Sequence, residues 1–405
     1  MRRRDGWKRW NNPANSRRNA GNWSSTCERR PPTPAIWRTR AGWKQSNTLP
    51  IASWMAGRAN WRGWKTARRR RCSCRQPSEA AAADRWWRWG LARRIEISTI
   101  GPGRLDGEAA DTKAVDRMIA HWRTQFEQVL PDRPDLIVVP EFCDQYLQFD
   151  YPKYQDFCRK RGPRLLEKFA ETARRHHTWI TYPTLWPMSD GTWRNCVHLI
   201  DRQGQVAGVY HKNFPTFGEL DAGICAGREA PVFETELGRV AIALCFDLNF
   251  DSLWTHYARQ KPDLVIFCSL YHGGLMQAYR AYQCRSHFVG ACAGLPCQIL
   301  NPLGETLGSS TNYHDYATVM VNLDCCVVHI DENQPKYLAM KGKYGTGVSI
   351  HDPGLLAAVL ISSEDETMAV QQMIQEFSIE PLDNYFSRSE HTIGNHRESS
   401  VARRL

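Results

Sequence analysis

Three short stretches of the chain carry residue types that could do chemistry together: Val139-Pro140-Glu141-Phe142, Tyr210-His211-Lys212-Asn213-Phe214-Pro215, and Ala243-Leu244-Cys245-Phe246-Asp247-Leu248-Asn249-Phe250. They supply a carboxylate, an ammonium and a thiol, each at or just past the end of a strand-like run. A free thiol has a pKa of about 8.5 and is a poor nucleophile at neutrality, so it needs a base for its proton and a positive charge for its thiolate. Cys245 ends an apolar strand and precedes a helix, and a sharp turn there would present its sulfur beside free backbone N–H groups. Glu141 follows Leu136-Ile137-Val138-Val139-Pro140, where a carboxylate fits best if the strand end opens into a low-dielectric cleft. Taken singly, each residue has a plain structural reading: a buried thiol, a salt-bridged loop carboxylate, a solvated lysine. Their coincidence at three strand ends argues for a nucleophile with its base and its electrostatic partner.

The elements that must position these groups are legible from Arg93 onward. Ile95 to Ile100 alternates and stops at Gly101-Pro102-Gly103, a first strand. Ala114, Val115, Met118, Ile119, Trp122, Phe126 and Val129 fall on one helical stripe that would cover a sheet. Leu136 to Val139 is a continuous apolar run of the kind buried on both faces. A helix over Leu165 to Arg175 and a strand over Thr178 to Leu185 follow, and Asp201 to Gly204 turns between the strands Val197 to Ile200 and Val206 to Tyr210. Val240 to Leu244, Leu264 to Ser269 and Phe288 to Ala293 read as strands. Helices are expected from near Asp251, capped by Asp251 or Ser252, and over Leu275 to Arg285. This alternation predicts an α/β layered domain. Ala317 to Leu323 reads as one more strand, Lys341 to Ile350 and Leu355 to Ile361 as extended or mixed, and the stretch from Arg388 as a loose polar tail.

The charge is unevenly spread over the 405 residues, whose overall net charge is +11. Residues 1–92 hold 22 Lys and Arg against 4 Asp and Glu, and the rest hold 31 against 38, so the positive balance belongs wholly to the first quarter. That quarter also holds 11 of the 16 tryptophans without a sustained apolar period, so it does not read as a packed domain. The expectation is a disordered extension, or sequence from an upstream start codon never selected for folding. The rival reading is a basic arm that binds nucleic acid, with Arg68 to Arg71 and Arg75 as its densest patch. The domain expectation is therefore 1–92 as extension, 93–387 as the folded domain and 388–405 as tail. The 14 cysteines are scattered and no signal-peptide core precedes them, so reduced thiols and a cytoplasmic location are expected. No cysteine spacing calls for a zinc site, no run is long enough for a membrane span, and no phosphate loop implies a cofactor.

Residues 94 to about 350 resemble the nitrilase superfamily of carbon–nitrogen hydrolases, whose Glu-Lys-Cys triad sits in motifs of the kind seen at Pro140-Glu141, Tyr210-His211-Lys212 and Cys245-Phe246-Asp247. The gaps of 71 residues from Glu141 to Lys212 and 33 from Lys212 to Cys245 are of the family's usual size. Glu219, in Pro215-Thr216-Phe217-Gly218-Glu219, looks like the family's second glutamate. The resemblance implies a four-layer α-β-β-α sandwich, homodimers or higher homo-oligomers, and hydrolysis of a non-peptide carbon–nitrogen bond without a cofactor. It makes Glu141 the base, Cys245 the thioester-forming nucleophile, Lys212 and the Phe246 N–H the oxyanion donors, and Glu219 a supporting group. Cys245-Phe246-Asp247 looks more like the amidase and carbamoylase branches than the true nitrilases. Leu248 and Asn249 stand where carbamoylases often place an arginine, which leaves a small amide as the expected substrate. Nitrile or N-carbamoyl hydrolysis and acyl transfer to an amine are the alternatives. Tyr271 and His272, after the strand Leu264 to Ser269, are expected to line the pocket.

Overall fold

A computed structural model describes residues 93–402. The basic extension, and with it the nucleic-acid reading of residues 1–92, lies outside the described residues.

The chain builds β1 (Arg94–Ile100), α1 (Thr112–Val129), β2 (Leu136–Val138), α2 (Tyr151–Arg161), α3 (Arg164–His176), β3 (Trp179–Pro187), β4 (Trp193–Ile200) and β5 (Val206–His211). Together with β12 (Tyr316–Asn322) these strands form a six-stranded sheet in the order β12-β1-β2-β3-β4-β5. The second half gives α4 (Phe217–Asp221), β6 (Val232–Thr235), β7 (Gly238–Leu244), α5 (Asp251–Gln260), β8 (Leu264–Ser269), α6 (Leu275–Cys284), β9 (His287–Cys292), β10 (Gln298–Leu300) and β11 (Thr306–Ser309). Its sheet has the mirrored order β11-β10-β9-β8-β7-β6.

Burial shows how the layers stack. Ile97, Leu136, Val138, Val197 and Leu199 of the first sheet meet Val240, Ile242, Leu244, Leu264 and Ile266 of the second in one apolar core. The outer face of the first sheet is covered by the stripe Ala114, Val115, Met118, Trp122, Phe126 of α1, with Phe157 and Phe169 from α2 and α3. Leu253, Trp254 and Ala281 of α5 and α6 cover the outer face of the second sheet. Helix α1 starts where Asp111 accepts the Ala114 N–H at 2.7 Å, an N-cap that satisfies one orphan donor. The result is the α-β-β-α sandwich expected from the sequence. Gly294 N–H donates to Gly101 O, so the strands β1 and β9 end on the same side of the sandwich. Glu141, Lys212 and Cys245 all lie on this side.

A smaller antiparallel sheet follows, β13-β15-β14, made of β13 (Cys325–His329), β14 (Val348–His351) and β15 (Ala358–Ser363). Helices α7 (Gln334–Tyr344) and α8 (Val370–Glu376) pack on it through Met340, Val348, Val359, Met373 and Ile374. This unit joins the sandwich through Leu303, Val327, Leu360 and Leu382. Leu300 pairs with Phe288 at the start of β9, and Asn322 pairs with Arg94 at the start of β1. The unit therefore attaches at the end of the sandwich away from Glu141 and Cys245. The segment from Arg388 corrects the expectation of a loose tail, because it continues α9 (Leu382–Ala402). Leu382 is buried, Tyr385 stacks on His329 at 3.8 Å, and Arg388 pairs with Glu380, which together anchor the first turns.

Candidate active site

The thiol sits on a strained turn. β7 is buried from Val240 to Leu244, and Cys245 then adopts φ 46°, a left-handed conformation that a side chain occupies only at a cost of about 1–3 kcal/mol. A short 3-10 turn over Cys245–Asn249 follows and α5 begins at Asp251, where a helix was expected, but its N-cap is Phe250, which has no side-chain acceptor to offer, and not Asp251 or Ser252. The buried Asp247 carboxylate locks this turn by accepting from Leu244 N at 3.0 Å, Phe214 N at 2.8 Å and Tyr210 Oη at 2.7 Å. Burial pushes its pKa up to about 6 despite those three donors. Phe246 is partly exposed beside the thiol. Its backbone N–H belongs to the first turn, where N–H groups find no acceptor within the helix.

The base and the cation come from the other sheet. Glu141 follows β2 and Pro140, and the chain reverses through Phe142 at φ 49°, a second left-handed residue. Glu141 is 1% exposed. Its Oε1 accepts from Asn195 Nδ2 at 2.7 Å and from Lys212 Nζ at 2.8 Å, while its buried Oε2 has no donor among the described residues. Lys212 extends β5 by one residue, and its N–H donates to Asn195 O at 2.9 Å. Its ammonium also donates to Glu219 Oε2 at 2.8 Å. Glu219 is held by a capping box in α4, where Thr216 N and Thr216 Oγ1 donate to its Oε2 at 2.8 and 3.0 Å. Asn195 Nδ2 donates to Glu219 Oε1 at 2.7 Å.

The electrostatics follow from this packing. Burial opposes the Lys212 charge, but Glu141, Glu219 and Cys245 outweigh it, and the ammonium is held above its usual range. Burial and the facing Glu141 charge push the Cys245 thiol up, with Lys212 opposing them. The resting state is a neutral thiol beside an ion pair. A thiol in that state would become a nucleophile only by giving up its proton, and Glu141 is the carboxylate that faces it.

Tyr271 is half-buried after β8. Burial above all, with the neighbouring Cys245 and Glu141 adding to it, pushes its phenol up to about 12, and its Oη accepts from Asn249 Nδ2 at 3.0 Å. Tyr151, the first residue of helix α2, shares that surrounding, pushed up to about 12 by burial and by Glu219 and Glu141. His272 makes no hydrogen bond to Glu141, Lys212 or Cys245; its Nδ1 accepts the Gly274 N–H at 3.0 Å and its carbonyl accepts from Gln277, which tie the residue to the turn that starts α6. Sequence reasoning missed Asn195, Asp247 and Tyr151 as site groups. The one signal for Asn195 was an amide placed directly before the strand-like run Cys196 to Ile200, one strand from the lysine. Among the described residues, no three or more His, Cys, Asp or Glu are grouped to hold a metal ion, and no helix is long and apolar enough to cross a membrane.

A double-sheet sandwich with a carboxylate, an ammonium and a thiol gathered at its strand ends defines the carbon–nitrogen hydrolase class. Residues 110–324 match the carbon–nitrogen hydrolase family model, and the chain belongs to that family, within the nitrilase superfamily. It is 23% identical over 198 residues to omega-amidase NIT3 of Saccharomyces cerevisiae, covering 45% of this chain and 65% of that protein. It is 26% identical over 140 residues to the probable hydrolase YhcX of Bacillus subtilis, covering 33% of this chain and 27% of the relative. Each match thus spans less than two thirds of the curated relative. A crystal structure of a carbon–nitrogen hydrolase from Helicobacter pylori G27 superposes with a TM-score of 0.51 at 14% identity, covering 57% of this chain and 90% of that one, a likeness of fold.

Proposed function

We propose that the protein hydrolyses the carbon–nitrogen bond of a small amide through a thioester on Cys245. The observation that carries this reading is the convergence of Glu141 and Lys212 from one sheet with Cys245 from the other, with Glu141 Oε2 left without a donor. Glu141 takes the thiol proton and Cys245 Sγ attacks the amide carbonyl carbon. The oxyanion is held by Lys212 Nζ and the Phe246 N–H, each donor of this kind being worth about 3 kcal/mol of barrier. Glu141 returns the proton to the departing ammonia or amine as the carbon–nitrogen bond breaks. Water then attacks the thioester while Glu141 takes its proton, the acid leaves, and Cys245 is reprotonated.

The surroundings favour a neutral acyl group. Phe246 and Phe217 are exposed near the thiol and lysine segments, Phe214 stacks on Phe250 at 3.9 Å, and Tyr151 and Tyr271 present protonated phenols. The one cation of the cluster is already shared by two carboxylates. The test is ammonia release from a panel of small amides, nitriles and carbamoyl compounds, with intact mass read on the full-length protein. Cys245→Ala is expected to abolish turnover and Glu141→Gln to lower it by about 10²–10⁴-fold. An acyl adduct present in wild type and absent in Cys245→Ala marks the thioester, and undiminished turnover in Cys245→Ala refutes the reading.

A further inference from the structure

Four side chains at this site close a ring of hydrogen bonds. The two N–H protons of Asn195 go to Glu141 Oε1 and Glu219 Oε1, both at 2.7 Å. Two of the three N–H protons of Lys212 go to Glu141 Oε1 and Glu219 Oε2, both at 2.8 Å. None of the four residues is more than 2% exposed. The amide orientation follows from its acceptors, because a flipped Asn195 would set its oxygen against two carboxylate oxygens. The donors and acceptors can then be counted. The ring consumes both Asn195 protons, leaving one acceptor on Glu141, its Oε2, and one N–H on Lys212. Those are the two groups that thiol deprotonation and oxyanion binding require.

We infer that Asn195 is a positioning residue that holds Glu141 and Lys212 in this state, resting on the hydrolase reading above. Its side chain suits the position for a physical reason. Two carboxylates sharing one ammonium repel each other, and a neutral amide can bridge both without changing the charge of the cluster. An aspartate there would add a third negative charge, a serine would offer one proton instead of two, and a second cation would compete with Lys212 for Glu141. The Asn195 carbonyl accepts from the Lys212 N–H at 2.9 Å, so the residue also sets where the lysine leaves its strand.

The test uses full-length Asn195→Asp and Asn195→Ala, read by kcat and KM on a hydrolysed amide. Alkylation of Cys245 by iodoacetamide is followed in parallel by peptide mass mapping across pH. Both variants are expected to lose about tenfold or more in kcat, the scale of a hydrogen bond to a charged group. KM is expected to stay within about twofold, since no ground-state contact is removed. In Asn195→Asp the alkylation profile moves to higher pH, because a third negative charge disfavours the thiolate. Part of the kcat returns on acidification, where a protonated carboxyl can donate one bond. A merely structural role would lower stability without moving either pH dependence. Asn195→Asp is near-isosteric and keeps the backbone bond to Lys212, so it reports even where the alanine variant does not fold. Wild-type kcat with an unshifted alkylation profile overturns the positioning role. A shifted profile with no amide hydrolysed leaves that role standing and overturns the hydrolase reading instead.

Discussion

Asp247 joins three segments through one carboxylate: the nucleophile turn at Leu244, the lysine loop at Phe214 and strand β5 at Tyr210. Burial holds its pKa near 6 against an ordinary 3.8, so the fold favours its neutral form. Stability from this group is full below pH 3.8 and lost as pH rises through 6. The ionised form that orders the turn costs about 3 kcal/mol at neutrality. Once protonated, the carboxyl leaves a backbone N–H without its acceptor. Wild-type kcat is therefore expected to fall below about pH 6. Asp247→Asn is expected to lose this limb and run about tenfold slower at pH 7, its amide facing a donor at Leu244 or Phe214. A pH–rate profile of the variant that keeps the limb would assign it to another group. Glu141, Lys212 and Cys245 were legible in the sequence because each breaks an apolar run at a strand end. Asn195 and Asp247 were not, because a buried polar residue announces itself only through partners 54 and 37 positions distant. The chemical type of Tyr271 and His272 suited both to a pocket, but only the fold shows that Gly274 and Gln277 engage the histidine.

Helix α4 spans only five residues, yet it carries Glu219 into the cluster, and its capping box does the positioning. Thr216→Val is expected to cost about 1 kcal/mol of stability by removing the cap. It should also lower kcat several-fold by freeing Glu219 from Thr216 Oγ1, whereas a surface cap elsewhere, such as Asp111 of α1, would cost stability alone. Thermal melts beside kcat values for the two cap variants separate the effects, and equal kcat in both would remove α4 from the argument. Elements such as α1, β2 and β7 were legible because one physical signal dominates each, a clean stripe or a continuous apolar run. Helix α2 was hidden because its buried positions Tyr154, Phe157, Cys158 and Arg161 include a charge. Arg161 is admitted to the core by its 2.7 Å pair with Asp144 and by the bonds it donates to Thr184 Oγ1 and the Leu185 carbonyl. Helix α4 is too short for any period to register, and α9 is polar after its first turns, where His329 and Glu380 rather than an apolar stripe hold it.

At the scale of the whole molecule, two buried histidines, the buried Asp247 and the half-buried Asp324 set opposing responses to acid. Burial lowers His198 to about 3 and His287 to about 4, so both are neutral in the fold. The stability they contribute is full above pH 6.5 and lost as pH falls, on the order of 5 and 3 kcal/mol when each is finally charged. Asp247 and Asp324 are raised to about 6 by burial, and each returns stability between pH 6 and 3.8. The two effects overlap, so this set of groups predicts a shallow loss between pH 6.5 and 4. Removing one side should unmask the other. Asp247→Asn is expected to steepen the acid side of the stability curve relative to wild type. His198→Gln and His287→Gln should flatten it, even where they lower stability at pH 7. Urea midpoints for the four proteins at half-unit steps from pH 4 to 8 give the differences directly. Parallel curves would mean that these buried groups keep their ordinary pKa values in the fold, and with that the buried charge of Asp247 would no longer account for an acid limb in catalysis.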